Sequence, residues 1–142
     1  MQTRGREGGF SLIEMLIVVG ILGVLASILI PNFVRSRAAS QLAVAQLDLR
    51  NIGAALDLYF NENQLYPSAT DWKTTLESGG YIRAVPVSPI DRAPYGYQTN
   101  AARDNYVLWD GPNKYSQAGV AGYIIYTPAG GNQLGVSSIP TP

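Results

Sequence analysis

The sequence contains no cysteine and no histidine. The first absence excludes disulfides, thiolate nucleophiles and cysteine-ligated zinc. The second removes imidazole both as metal ligand and as general base, so only carboxylates remain for acid–base work. Charge is also scarce. Asp, Glu, Lys and Arg make up 14% of the 142 residues, with ten bases against ten acids. A nucleic-acid surface draws its affinity from a basic excess, and none is offered here. No GxSxG is present and the acids are scattered, so a membrane-anchored enzyme finds no catalytic constellation to use. A chain of this length accommodates one domain and an extended segment, not two full domains.

What is present begins with a long apolar run. After the polar start MQTRGREGG, residues Phe10 to Ile30 read FSLIEMLIVVGILGVLASILI, with Glu14 their only charge. As a helix the run spans roughly 30 Å, enough to cross a bilayer core. Three readings compete. A secretory signal peptide would use Ser36 and Ala38 as its cleavage site, but its apolar region is shorter, about 7–15 residues, and free of acids. A plain signal anchor gains little from flanking charge: Arg4, Arg6 and Glu7 lie before the run, Arg35 and Arg37 after it. In the third reading the polar start is a leader, cut off ahead of the run.

The third reading has the most specific support. Gly9 followed by Phe10-Ser11-Leu12-Ile13-Glu14 resembles the processing site of type IV pilins and type II secretion pseudopilins. The resemblance implies a membrane-embedded prepilin peptidase that cuts after Gly9, removes residues 1–9 and methylates the new amine of Phe10. It implies further that the precursor sits in the bacterial inner membrane. From there an assembly platform and its ATPase polymerise many copies into an extracellular pilus or a periplasm-spanning pseudopilus.

A carboxylate in an apolar helix costs roughly 2–4 kcal/mol on insertion scales and therefore needs a partner. Cleavage would create one, an α-amine one helical turn before Glu14. The pair can form within a chain or between chains; the family implies the second, with Glu14 setting register in a growing filament. Gly20 and Gly23 leave a flat face for close helix packing. Pro31 removes one backbone donor and is expected to kink or locally break the helix, as the family's filaments often do ahead of this proline.

From 31 to 63 the pattern turns amphipathic. Leu42, Ala45, Leu49, Ile52, Leu56 and Tyr59 fall at spacings of three and four, one apolar stripe on a helix that continues the first. Asn61, Asn63 and Tyr66-Pro67 should stop it. Residues 64–142 then form a head. A short helix over DWKTTLES is expected to be capped at Thr70-Asp71 and ended by Gly79-Gly80. Strands are expected over Tyr95–Thr99, Tyr106–Trp109 and Gly122–Thr127, and the tail SSIPTP should be loose. The fold class is thus α+β: a long N-terminal helix, membrane-spanning over 10–30, with a small antiparallel sheet laid on its amphipathic half.

The helix end ALDLYFNENQLYP resembles that of major pseudopilins, and so does the stretch GGYIRAVPVSPIDRAPYGYQTN, although their Asp-Pro-Trp-Gly is absent. Those pseudopilins bind calcium in a C-terminal loop. Here Asp91, Asp104 and Asp110 could offer oxygen ligands, but no DxDxDG-type loop exists and solvated turn acids are the preferred reading, so no metal or other cofactor is expected. The many head tyrosines read as packing residues of short strands, not as a platform for glycans or DNA. Without residues 1–9, eight bases (ten less Arg4 and Arg6) face nine acids (ten less Glu7), a balance that lets like subunits pack closely. The expected function is a structural pilus subunit. The alternatives are a major secretion pseudopilin, or a minor pilin acting in adhesion or DNA uptake.

Overall fold

Residues 9 to 142 are described by a computed structural model; the expected leader, apart from Gly9, lies outside them. The chain divides into two units, one ending at Arg35 and the other comprising Ser36–Pro142. Helix α1, Leu12–Asn63, supplies the first unit and the backbone of the second. The helix runs on through Pro31, so of the kink and the local break that the sequence leaves open, no break is present in the single subunit. One missing N–H forfeits a single ladder bond, and the apolar turns on either side keep theirs.

In the second unit the stripe behaves as its spacing predicts. Ala45, Leu49, Ile52 and Leu56 are fully buried, and Leu42 and Tyr59 pack partly buried against the same core. α1 ends where Gln64 turns left-handed (φ 61°) and its N–H bonds Phe60 O at 2.7 Å. Helix α2, Trp72–Ser78, buries Trp72 and Leu76. The Asp71 side chain makes no capping bond, so the expected side-chain cap is absent; Asp71 instead gives its carbonyl to Thr75 N–H.

Four strands follow: β1 (Gly96–Thr99), β2 (Tyr106–Asp110), β3 (Tyr123–Thr127) and β4 (Gly131–Val136). They form an antiparallel meander in the order β1-β2-β3-β4. Strand β4 has no local signal that places it in the sequence, because GNQLGV lacks β-branched alternation. It forms by hairpin return from β3, with Gly131 (φ 60°) at the turn and a register shift opposite Tyr123/Ile124. Aromatic rings join the sheet to the segment after α1 and to α2. Tyr66 meets Tyr106 edge-on at 4.6 Å, and Tyr97 lies 5.1 Å from Trp72. Tyr66, Tyr95, Tyr97, Tyr106 and Tyr115 are all buried, which accounts for the tyrosine content by packing. Helix and sheet approach closely at Gly53, whose carbonyl accepts from Tyr106 OH at 3.4 Å. A Cβ there would run into the Tyr126 ring and the Tyr106 hydroxyl.

Candidate functional site

The N-terminal group of candidates begins in non-helical backbone. Gly9 and Phe10 are exposed, with no secondary structure, and nothing lies within 4 Å of where a Gly9 side chain would start. Two residues on, Ser11 and Glu14 cap each other. Ser11 N–H donates to Glu14 Oε2 at 2.8 Å, and Glu14 N–H donates to Ser11 Oγ at 3.2 Å. This is the reciprocal capping box of an S-x-x-E sequence, and it satisfies two of the donors that a helix start leaves open. The signal was legible in the sequence, yet Ser11 was not among the expected site residues. Glu14 therefore has a partner inside its own chain. Ser11 N–H occupies Oε2, and among the described residues no hydrogen bond falls on Oε1.

From Leu12 to Val34 the large apolar side chains stand exposed, Leu12 at 83% and Phe33 at 71%. The span is long and apolar enough to cross a bilayer. A helix apolar all round is stable only in lipid or among other helices. Gly20 and Gly23 lie within this exposed surface, with open space where a Cβ would sit among the described residues, and Pro31 lies near its C-terminal end.

The head brings two of the three suspected calcium ligands together. Lys114 places its Nζ 2.8 Å from Asp91 Oδ2 and 2.6 Å from Asp110 Oδ1. Asp110 is 1% exposed. Its Oδ1 also accepts from Gly111 N–H at 2.8 Å, and its Oδ2 accepts from Ser88 Oγ and Tyr115 OH, both at 2.7 Å. Asp104 is elsewhere, in a loop with Asn100 (2.6 Å). Burial works against the Lys114 charge, but hydrogen bonds to Asp110 and Asp91 outweigh it and hold the ammonium above the ordinary lysine range. The bond from Lys114, then that from Ala93 N–H, hold Asp91 below the ordinary carboxylate range. Burial and the bond to Asp110 push the Tyr115 hydroxyl up. Neither Lys114 nor Ser88 nor Tyr115 stood out in the sequence; the Asp110–Lys114 spacing of four carries no meaning in a loop.

Residues 4–30 match a family model described as the prokaryotic N-terminal methylation motif. The type II secretion system core protein G of Pseudomonas aeruginosa is 32% identical over 122 residues, 77% of this chain and 84% of that protein. The chain belongs to the family of type IV pilins and type II secretion pseudopilins. Core protein G of Pectobacterium carotovorum is 35% identical over 101 residues, 62% of this chain and 65% of that one. The type IV major pilin protein PilA of Myxococcus xanthus is 33% identical over 97 residues, which covers 68% of this chain and 39% of the pilin. In this pilin-like subunit the methylation-motif match takes in Gly9, Phe10, Ser11 and Glu14 together with the exposed apolar helix.

Proposed function

We propose that this protein is the repeating structural subunit of a type II secretion pseudopilus. The observation that carries the choice over a surface pilus is the extent of similarity. Core protein G is matched over 84% of its length in Pseudomonas aeruginosa and 65% in Pectobacterium carotovorum, whereas PilA is matched over 39%. A pilus subunit, which the sequence by itself favoured, is the second reading; the missing Asp-Pro-Trp-Gly supports it.

In either filament the chain's own residues act in the same way. A prepilin peptidase cuts the exposed Gly9–Phe10 bond and methylates the Phe10 amine. The apolar surface from Leu12 to Val34 leaves lipid for the equivalent surface of other copies, and a heterologous contact that does not close generates a helix of subunits. Glu14 enters that interior with one oxygen held by Ser11 and the other turned to the incoming amine. A carboxylate left unpaired there is penalised, so register is chosen by relief of a cost. Gly20 and Gly23 admit close helix approach. The role is structural, not catalytic.

The test is intact mass and N-terminal analysis of the chain in two fractions, sheared surface filaments and the cell envelope. A chain that begins at N-methylated Phe10 and stays in the envelope is expected, together with loss of protein secretion when it is deleted. The same chain dominating sheared fibres would favour the pilus, and an uncut Met1 start would overturn both readings.

A further inference from the structure

Calcium is what the resemblance to major pseudopilins implies for the head, and the residues here do not fit it. A calcium ion takes about six to eight oxygens at 2.3–2.6 Å. A carboxylate offers about four acceptor positions, and Asp110 has committed them to Gly111, Lys114, Ser88 and Tyr115. Asp91 accepts from Ala93 N–H and, through both oxygens, from Lys114. The third acid, Asp104, is bonded in its own loop. The positive charge between the two converging carboxylates is already covalently part of the chain.

We infer that Lys114 is a built-in cation that fastens the β2–β3 connection, residues 111–122, and makes the head independent of divalent ions. The geometry gives it two points of attachment. Asp110 ends β2. Asp91 lies in the turn in which Ser88 N–H bonds Ala93 O and Arg92 N–H bonds Ser88 O, and Gln41 of α1 reaches this turn through Pro89 O at 3.4 Å. Lys114 and its neighbour Tyr115 thus pin the long connection to both β2 and the 88–93 turn. One ammonium against two carboxylates leaves one negative charge over. The hydroxyls of Ser88 and Tyr115 spread it on the buried side, and water solvates it at Asp91, which is 46% exposed.

The test uses the full chain in detergent micelles, read by its thermal midpoint and by chymotrypsin cleavage after Tyr115. That residue is 1% exposed and is reached only when the connection opens. The native chain is expected to show the same midpoint and cleavage rate in millimolar EDTA and in millimolar calcium chloride. Lys114→Gln is expected to lower the midpoint by about 5 °C and to speed cleavage roughly tenfold, and Lys114→Arg to restore most of both. Should Lys114→Gln fail to fold, Asp91→Asn at the exposed end is expected to speed cleavage less, again without response to EDTA. An EDTA-sensitive native midpoint, a midpoint raised by calcium, or a Lys114→Gln chain as resistant as the native one would each overturn the inference.

Discussion

Gly53 shows how much one missing side chain can matter. Alanine is the better helix former by about 1 kcal/mol, so on propensity alone Gly53→Ala would stabilise. The Tyr126 ring occupies the space a methyl needs, and overpacking costs about 1–3 kcal/mol. Gly53→Ala is therefore expected to lower stability by about 1 kcal/mol net, read as a lower denaturant midpoint with an unchanged slope. Asp110→Asn is the harsher change. It leaves buried hydroxyls and an ammonium arranged around a group that no longer carries charge, and is expected to cost about 3 kcal/mol. Asp91 and Lys114 give a pH signature. Asp91 lies below its unfolded value of about 3.9, so its contribution is present above that pH and lost as pH falls through the folded value. Lys114 lies above its unfolded value of about 10.4; its contribution is present below that pH and lost as pH rises through the folded value. The pair's share of the thermal midpoint should stay flat from about pH 5 to 9 and fall on either side. Asp48 has the opposite sign to Asp91. Burial raises it, only partly offset by the bond from Tyr95, so its charge opposes folding at neutral pH. Asp48→Asn, which can still accept from Tyr95, is expected to raise the midpoint at pH 7.

Legibility at the scale of elements follows from how local the determinants are. The stripe Leu42–Ala45–Leu49–Ile52–Leu56–Tyr59 could be read because burial on a helix imposes its period on the sequence itself. Strands β1 to β3 could be read to within a residue because Tyr, Val and Ile cluster between turn residues. Strand β4 could not, since its pairing is dictated by β3 and by two glycines with positive φ, Gly131 and Gly135. The Asp91–Lys114–Asp110 arrangement was hidden for the same reason: the 88–93 turn meets the end of β2 and the connection after it only once the sheet is built. The Ser11–Glu14 cap was the reverse case, a local motif whose signal was present and was absorbed into another role for the acid. Ser11→Ala keeps the backbone donor to Glu14 but removes the hydroxyl cap. It is expected to cost about 1 kcal/mol of helix stability at that end, seen as faster hydrogen exchange of the Glu14 and Met15 amides.

The whole molecule divides into a head with a core of its own and an apolar helix without one. Buried tyrosines, a saturated Asp110 and a covered stripe build the core of the second unit, whereas the large side chains from Leu12 to Val34 stand exposed among the described residues. Folding and assembly are therefore separable. Glu14→Leu should leave the thermal midpoint of the head unchanged while reducing filament yield at least tenfold (about 1.4 kcal/mol or more), measured as assembled against membrane-extracted subunit.

The cap at Ser11 has one more consequence. With the first helical residue at Leu12 and Ser11 as its cap, Gly9 and Phe10 lie in backbone without secondary structure. A peptidase must draw its substrate into an extended form to reach a scissile carbonyl, and a bond inside a helix would first have to be unwound. The bond between Gly9 and Phe10 is already in open backbone. Under the processing proposed above, the cap sets the cut a fixed two residues ahead of the first helical turn.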